Sequence, residues 1–250
     1  AVSENKLASV RSLLQSGFDV NSLIAWNAKR TFSPLISARL ANQPELMRKI
    51  QNEEDYLAHP LNLAVIGGHE DMVRLLLSAG ADISLKDGRG RTAIMCAIYG
   101  LDVDNNCINN ANAPLISQTH PTHLSIMRNC LLSHPNLHVS TLDAAQNDAT
   151  GITPLCLASY LGKTEMMELL LEDGRVNVDG ADNKNATPLM YAARDGNAVN
   201  VKLLLQHDAS PDVTDDHGWS ALQWGAGNQE IVLLCEEALR SRRPEVAVST

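Results

Sequence analysis

The feature that most constrains the fold of this chain is a short tripeptide that recurs along the sequence at an interval of about 33 residues. Thr153-Pro154-Leu155 returns one interval later as Thr187-Pro188-Leu189, and one interval after that, in a looser form, as Ser220-Ala221-Leu222. Nearer the N-terminus, His59-Pro60-Leu61 and Thr92-Ala93-Ile94 are separated by the same interval. A fixed period of this length is typical of repeat proteins, in which each unit packs on its neighbours. The sequence therefore predicts an array of repeats.

Within each period the residues indicate two short helices. Thr153 and Thr187 can cap a helix N-terminus with the side-chain hydroxyl, and the proline that follows each of them has no backbone N–H to leave unpaired. Gly68, Gly162 and Gly196 can end such a helix in the left-handed conformation. An apolar segment rich in leucine begins shortly after each of these glycines and predicts a second helix with one buried face.

The turns between the helix pairs complete a pattern that resembles the ankyrin-repeat family. The family pattern reads Asp-x-x-Gly-x-Thr-Pro-Leu-His-x-Ala-Ala-x-x-Gly-His, followed by an outer helix and Gly-Ala-Asp. Segments 87–92 and 215–220 match its opening turn, Gly80-Ala81-Asp82 matches its close, and the resemblance covers most of residues 3 to 240. It implies an all-α solenoid of helix-turn-helix units joined by projecting β-turns.

The chain departs from the family at one position. The histidine that the family carries after leucine is replaced by Asn62, Cys156, Met190 and Gln223. In the family this histidine forms a hydrogen bond to a neighbouring turn. We therefore expect that hydrogen bond to be absent or altered, and the turns to be coupled somewhat more loosely.

The pattern assigns residues 1–240 to the repeat domain. A partial N-terminal repeat occupies residues 1–27, and further repeats begin near residues 28, 54, 87, 148, 182 and 215. The last repeat is shortened and is followed by charged residues, which is typical of a polar C-terminal cap. Residues 241–250 have no apolar period and are predicted to be a tail or linker.

One repeat carries a long insertion. The separation of Thr92 from Thr153 exceeds one repeat of about 33 residues by roughly 28 residues. Most of the additional residues fall at 101–122, between an inner helix ending near Gly100 and an outer helix expected over 125–132. The insertion contains several asparagines and prolines, a composition typical of loops. It is either a recognition element or a bare surface loop.

The insertion also raises the question of a metal site. Zinc prefers thiolate and imidazole ligands, which Cys107, His120, His123 and Cys130 could supply. The pattern is weak, because Cys130 falls at a core position of the expected outer helix and no second close cysteine pair exists. The sequence favours a core cysteine with loop histidines, and it predicts neither a metal nor another cofactor.

Composition limits the class of partner and the compartment. The net charge of -9 would repel a phosphate backbone, so direct binding of nucleic acid is not expected. The longest nearly apolar stretch, 92–101, is about half the length of a membrane span. Five cysteines without a C-x-x-C pair suit a reducing compartment. We expect an intracellular protein of the cytoplasm or nucleus that is monomeric on its own.

No group of residues in the sequence suggests catalysis. Nucleophilic catalysis needs a nucleophile, a base and an orienting group held in one pocket. Cys156 lies at the position of the family's histidine, and His207 and His217 follow only at a distance. The chain also lacks a Gly-rich phosphate loop and an H-E-x-x-H motif. The prediction is that this segment is not an enzyme.

The resemblance does imply a binding surface. In the family, partners usually dock on a concave face formed by the projecting turns and the exposed ends of the inner helices. Carried onto this chain, that face comprises Arg89, Arg91, Tyr99, Thr150, Ile152, Tyr160, Leu161, Lys184, Arg194, Asp195, His217 and Trp219. Tyr99, Tyr160, Arg194 and Trp219 are the strongest candidates, because Tyr, Trp and Arg concentrate interface energy. Each of the four could instead serve packing alone, and Trp224 is expected in the core.

Two functions fit this surface. The first is a protein-interaction module that binds a partner protein or peptide on the concave face, as part of a larger scaffold, adaptor or regulatory protein. The alternative is a regulatory domain that packs on a catalytic or GTPase-regulating domain of its own polypeptide. The sequence does not name the partner, since repeat surfaces vary independently of the repeat frame.

Overall fold

The computed structural model describes residues 1–26, 56–100, 121–146 and 150–242. The repeat expected to begin near residue 28, residues 101–120 of the insertion, and the tail beyond residue 242 lie outside the described residues. The described chain divides into two compact units. The first module comprises the described residues up to Thr141 together with Gln146, and the second module comprises Leu142–Ala145 and the residues from Thr150 onward.

The first module consists of short helices and one pair of strands. Its elements are α1 (Leu7–Gln15), β1 (Ile24–Trp26), β2 (Tyr56–Ala58), α2 (Pro60–Ile66), α3 (Glu70–Ser78), α4 (Ala93–Tyr99), α5 (Pro121–Ile126) and a π-helix (Met127–Leu132). The strands pair antiparallel, with Ile24 opposite Ala58. Helix α2 packs against both α3 and α4. A single helical turn, α6 (Val139–Leu142), ends this part of the chain.

The second module contains three successive helix pairs. They are α7 (Pro154–Tyr160) with α8 (Thr164–Asp173), α9 (Pro188–Arg194) with α10 (Ala198–Gln206), and α11 (Ala221–Trp224) with α12 (Gln229–Arg242). The inner helices α7, α9 and α11 pack in sequence, and the outer helices α8, α10 and α12 do the same. The all-α repeat fold expected from the sequence is confirmed.

Threonine caps start the inner helices as predicted. The backbone N–H of the third helical residue donates to the hydroxyl of Thr92, Thr153 and Thr187 at 3.3–3.4 Å. Gly162 and Gly196 then follow α7 and α9 with φ of 64° and 71°, a conformation that a residue with a Cβ adopts only with strain. Helices α7 and α9 are therefore each held to about two turns, whereas α11 has four residues.

Inner and outer helices are buried to different extents. In α7 every residue except Tyr160 is buried, including Ala158, whose small side chain lets α9 approach closely. The outer helix α8 buries Met166 and Leu170 on one face and exposes Glu168 on the other. In α7 only the last residue is exposed, whereas in α9 and α11 Tyr191 and Gln223 also reach solvent, and these are positions from which a surface can be built.

The residues that replace the family's histidine still form hydrogen bonds. Asn62 donates to the Arg91 carbonyl at 3.0 Å, and the Cys156 thiol donates to the Gly180 carbonyl at 3.1 Å. Met190 and Gln223 instead accept bonds from their own helix caps. The expected loss of this bond is thus partial, because two of the four substitutes still reach the next turn.

The structure corrects the sequence prediction around the interrupted repeat. The outer helix begins at Pro121, not near Ser125, and continues as a π-helix from Met127 to Leu132. Proline is well suited to the first helical turn, so the insertion ends before residue 121. His123, expected in a loop, is buried in α5, and its Nε2 donates to the Ile66 carbonyl at 3.2 Å.

The C-terminal repeat ends in a longer helix than the sequence suggested. Helix α12 runs to Arg242, so Ser241 and Arg242 belong to the helix and not to the tail. Ile231 and Cys235 are buried on one side of α12, while Arg240 is exposed and pairs with Glu236 at 2.9 Å. A single apolar stripe with a charged opposite face is what a capping helix requires.

Candidate partner-binding surface

One aspartate organises each projecting turn. In the turns that begin at Asp87, Asp182 and Asp215, the Oδ1 atom accepts hydrogen bonds from the backbone N–H groups two and four residues later, at 2.8–3.0 Å. All three aspartates are buried. Because Oδ1 is used by the turn itself, the second oxygen, Oδ2, is left to bind a side chain. The identity of that side chain differs between the two modules.

In the first module the turn aspartate binds an arginine. Asp87 Oδ2 accepts from Arg91 Nε at 2.9 Å and from Arg91 Nη2 at 2.8 Å, and the two side chains are 0% and 11% exposed. The Arg91 guanidinium also lies 5.6 Å from the centre of the Tyr99 ring. The Tyr99 hydroxyl donates to Gln146 Oε1 at 3.3 Å. Arg91, expected on the binding face, is therefore largely committed to its own turn, while Arg89 is exposed.

In the second module the turn aspartates bind aromatic side chains. The Tyr191 hydroxyl donates to Asp182 Oδ2 at 2.6 Å, and the Trp224 indole N–H donates to Asp215 Oδ2 at 2.9 Å. Each aromatic residue lies nine positions after its aspartate, and Cys96 occupies that position after Asp87. The expectation that Trp224 lies in the core is wrong, since it is only half-buried. Its indole N–H needs an acceptor, and Asp215 provides one near the surface.

Sequence reasoning missed Tyr191. Its side chain is half-buried and forms edge-to-face contacts with Tyr160 and Trp224, with ring centres 5.8 Å apart in both pairs. Such pairs are favourable beyond the area that they bury. The nine-residue spacing from Asp182, repeated from Asp215 to Trp224, is the signal that could have identified it.

Arg194 joins the three aromatic residues into one cluster, which we call the aromatic-arginine cluster (Tyr160, Tyr191, Arg194 and Trp224). Its guanidinium carbon lies 5.1 Å from the Tyr160 ring centre, 5.3 Å from that of Tyr191 and 5.8 Å from that of Trp224. All three distances are within the range of cation–π attraction. The three rings come from α7, α9 and α11, so three consecutive repeats contribute to the cluster.

Burial and hydrogen bonding shift the pKa of two groups at this site. Burial, and then the hydrogen bond to Asp182, raise the pKa of the Tyr191 phenol. Burial alone would raise the pKa of Asp215, but hydrogen bonds from the Trp219 N–H, the Trp224 indole and the His217 N–H together lower it. The Asp215 carboxylate is therefore held in its charged form.

The other predicted residues of the second module differ in exposure. Trp219 is 54% exposed and Tyr160 is 43% exposed, whereas Ile152 is only 7% exposed and so offers little surface to a partner. Thr150, Lys184, Asp195 and His217 are exposed, and Leu161 is half-buried. Apart from the buried Ile152, these residues are accessible as a binding face requires.

A cleft of about 420 Å³ lies between the last two turns and the ends of α9 and α11. We call it the turn cleft. Lys184, His217 and Trp219 line it from the turns, and Arg194 and Trp224 line it from the helices. Three members of the aromatic-arginine cluster, Tyr191, Arg194 and Trp224, thus form part of a concave surface with room for side chains of a second molecule.

The structure also places the residues considered for metal binding and catalysis. Within the described ranges no group of three or more His, Cys, Asp and Glu side chains could hold a metal ion, and Cys107 and His120 lie outside those ranges. Cys130 is buried. Burial raises the pKa of Cys156 to about 12, which disfavours the thiolate. Among the described helices, none combines the length and apolar character that crossing a bilayer requires.

Comparison with known proteins identifies the repeats. Family models described as "Ankyrin repeats (3 copies)" match residues 122–215 and 176–240. A further model, "Ankyrin repeats (many copies)", matches residues 61–104. The matched ranges contain the turns at Asp87, Asp182 and Asp215 and every residue of the aromatic-arginine cluster.

Individual relatives differ in how much of their length this chain covers. The Escherichia coli (strain K12) protein YahD, named as an ankyrin repeat protein, is 30% identical over 203 residues, which are 72% of this chain and 93% of YahD. Rabankyrin-5 of Mus musculus is 26% identical over 210 residues, 84% of this chain but 14% of that protein. The B-cell lymphoma 3 protein homolog of Mus musculus is 30% identical over 188 residues, 75% of this chain and 36% of that protein.

Proposed function

This chain belongs to the ankyrin-repeat family, and from that premise we propose that it is a protein-interaction module whose second module binds a partner protein or peptide at the turn cleft. The observation that carries the proposal is the aromatic-arginine cluster, which exposes Tyr160 and Arg194 and whose Arg194 lines the turn cleft together with Trp219. Ankyrin repeats serve in general as interaction modules and not as catalysts. The site, the partner and the scaffold or adaptor role are our proposal.

The composition of the cleft supports this assignment. Interface hot spots are enriched in Trp, Tyr and Arg, and their removal typically costs more than about 1 kcal/mol of binding free energy each. An exposed tryptophan such as Trp219 leaves a large apolar surface in water, which docking of a partner would cover. The ring contacts also hold Arg194 in place, so less side-chain entropy is lost on binding.

The test is a comparison of captured partners among three forms of the chain. Wild type, the double variant Tyr160→Ala plus Arg194→Ala, and a control with Val199→Ala plus Arg240→Ala serve as baits, with quantitative mass spectrometry of bound proteins. Val199 and Arg240 are exposed on outer helices of the same module. Partners retained by wild type and the control should fall about tenfold or more with the cluster variant.

Circular dichroism must show that all three forms remain folded. If every partner captured by the wild type is retained by the folded cluster variant, the proposed site is wrong. Loss of partners with the control as well would place the interaction on the outer helices instead.

A second candidate function rests on the lengths of the relatives. The match covers only 14% of rabankyrin-5 and 18% of a Candida albicans protein named glycerophosphocholine phosphodiesterase GDE1. Ankyrin repeats of this kind thus occur as small parts of longer proteins, one of which is named for a catalytic activity. The alternative is that this segment regulates a catalytic or GTPase-regulating domain of its own polypeptide. Determining the full reading frame tests it, since a catalytic domain must then adjoin the repeats.

The compartment and the assembly state are also part of the proposal. Cys96, Cys130, Cys156 and Cys235, the cysteines within the described residues, are buried and form no disulfide. This fits a reducing compartment, and we propose an intracellular, monomeric protein of the cytoplasm or nucleus. The net charge of -9 argues against direct binding of nucleic acid.

A further inference from the structure

The turn cleft contains buried acidic groups that are already fully engaged. Asp182 and Asp215 line it, and each carboxylate accepts two backbone hydrogen bonds and one from an aromatic side chain. Both aspartates are buried. Their charge is therefore stabilised by hydrogen bonds within this chain, although both carboxylates still line the cleft.

The exposed charges of the cleft are cationic. Lys184 is exposed, and its ammonium group has no acceptor among the described residues. The Arg194 side chain is 40% exposed, and only its Nε is bonded, to Asp195 Oδ1 at 2.9 Å. Neither terminal nitrogen of Arg194 has an acceptor within the described part of the chain. These donors are the ones that a carboxylate binds in a two-pronged arrangement.

The cleft is less acidic than the chain as a whole, because its lining sets Lys184 and Arg194 against Asp182 and Asp215, which gives a formal net charge of zero. The net charge of the chain is -9, with 29 acidic and 20 basic side chains. An acidic ligand is therefore repelled less at the cleft than by the chain in general, and the two exposed cations offer it donors there. Asp195 offsets part of the Arg194 charge but occupies only the Nε side.

The aromatic rings are not available to a second cation. Tyr160, Tyr191 and Trp224 already surround the Arg194 guanidinium at 5.1–5.8 Å. A lysine or arginine of a partner would have to displace Arg194 or lie beside a like charge, and either would cost free energy. Trp219, in contrast, is 54% exposed at the edge of the cleft and can cover an apolar side chain.

Resting on the proposed function, we propose that the turn cleft binds an extended peptide segment through an aspartate or glutamate side chain. The carboxylate binds the terminal nitrogens of Arg194 and the Lys184 ammonium, and an apolar residue next to it in the peptide packs on Trp219. The partner class is thus an acidic-apolar linear segment. A basic segment would face Lys184 and Arg194 and is therefore disfavoured.

The test begins with selection of a phage-displayed library of random linear peptides on the whole chain. An excess of the soluble Trp219→Ala variant is present as competitor, so that only peptides requiring Trp219 are retained. The retained pool should contain more Asp and Glu, and fewer Lys and Arg, than the starting library. The most enriched peptide is then synthesised together with a form in which its acidic residue is replaced by the corresponding amide.

Fluorescence anisotropy of both peptides completes a double-mutant cycle. On wild type, the amide form should bind about tenfold more weakly, the loss expected for a charge-assisted pair. On Arg194→Gln, the difference between the acidic and amide forms should shrink, because only Lys184 then remains to bind the carboxylate, and on Arg194→Gln plus Lys184→Gln the two forms should bind alike. Lys202→Gln is the matched control, since Lys202 is an exposed lysine on the outer helix α10 of the same module. On Lys202→Gln the acidic and amide peptides should differ in affinity as much as they do on wild type.

The outcomes separate this inference from the proposed function. If Trp219-dependent peptides are retained but show no acidic excess, or if the amide form binds wild type equally well, the inference is wrong and the cleft remains the proposed site. Enrichment of basic peptides overturns it in the same way. If no Trp219-dependent peptide is retained at all, the inference is wrong, while the proposed function is decided separately by the partner capture with Tyr160→Ala plus Arg194→Ala.

Discussion

The turn at Asp87 in the first module and the turns at Asp182 and Asp215 in the second have the same backbone arrangement and different chemistry. In each, Oδ1 closes the turn. At Asp87 the remaining oxygen binds Arg91 of the same turn, whereas at Asp182 and Asp215 it binds Tyr191 and Trp224 of the inner helix. The first arrangement places an arginine inward, and the second brings two aromatic rings to the surface.

The residues four and nine positions after the aspartate account for the difference, since Arg91 has Ala186 and Trp219 at its place in the other two turns. Cys96 at that position is fully buried and too short to reach a carboxylate, so Asp87 is paired with Arg91. Tyrosine or tryptophan there reaches Oδ2, and the rings then surround Arg194. The same turn geometry can therefore support either a stabilising ion pair or part of a binding surface, depending on the residues four and nine positions after the aspartate.

The largest expected effect comes from breaking the ion pair of the first module. Arg91→Met leaves the Asp87 carboxylate, whose side chain is 0% exposed, without its cation. Removing one partner of a buried pair should lower the free energy of unfolding by about 3 kcal/mol. Urea denaturation followed by circular dichroism measures this. The control is Arg74→Met. The Arg74 side chain is 52% exposed and pairs with Glu70, so its loss should lower the free energy of unfolding by less than about 1 kcal/mol. Equal losses of unfolding free energy in Arg91→Met and Arg74→Met would show that burial of the Asp87–Arg91 pair does not increase its effect on stability.

Disrupting the aromatic arrangement of the second module should lower the free energy of unfolding less than breaking the ion pair of the first. Tyr191→Phe keeps the ring but removes the hydroxyl, and Asp182 Oδ2 then has no donor among the described residues. A buried acceptor left unpaired costs about 2 kcal/mol. In the same assay Tyr160→Phe should change stability by less than about 0.5 kcal/mol, since its ring is exposed and its hydroxyl has no partner in the described ranges. A similar loss for both variants would contradict the role given to Asp182.

Lowering the pH should remove the contribution of Asp215 to the stability of the fold. Its folded-state pKa is lowered, so the unfolded chain binds more protons near the usual aspartate value of 3.8. The stabilisation is present above that pH and is lost as pH falls through the folded pKa. The free energy of unfolding of wild type should exceed that of Asp215→Asn by about 1 kcal/mol at neutral pH. This difference should vanish below about pH 4. Thermal melts between neutral pH and pH 3 measure it. With Asp212→Asn, at an exposed aspartate of this module, no such gap should appear.

The smallest effect on stability is expected at Arg194. Its side chain is 40% exposed, so Arg194→Gln should lower the free energy of unfolding by only about 0.5 kcal/mol, although three rings face the guanidinium. Urea denaturation checks the value, with Arg240→Gln on the capping helix as the matched exposed control. A loss as large as that of Arg91→Met would mean that Arg194 serves the fold and not the surface.

Much of the fold could be predicted because its signals are local. Thr92, Thr153 and Thr187 cap their helices through atoms three residues away, and Gly162 ends a helix through its own φ. Interactions over so few residues repeat with the sequence period. The start of α5 at Pro121 was missed although proline at the first helical position is itself a local signal.

The candidate site could be predicted only in part. Tyr160, Arg194 and Trp219 were identified by residue type and repeat position, and the structure places the first two in one cluster. Tyr191 was missed, Trp224 was assigned to the core, and Ile152 to the surface. Hydrophobicity does not show whether an aromatic ring or a β-branched side chain at a turn points inward or outward.

The sequence alone thus determined the repeat frame, the caps and the turns, since each depends on residues within about one helical turn of one another. The tertiary structure decided which side chain receives the second oxygen of each turn aspartate, and that Arg194 lies among rings from three repeats. Those contacts depend on the stacking of α7, α9 and α11. The distances between side chains of different repeats are set by helix packing and not by the spacing of residues along the chain.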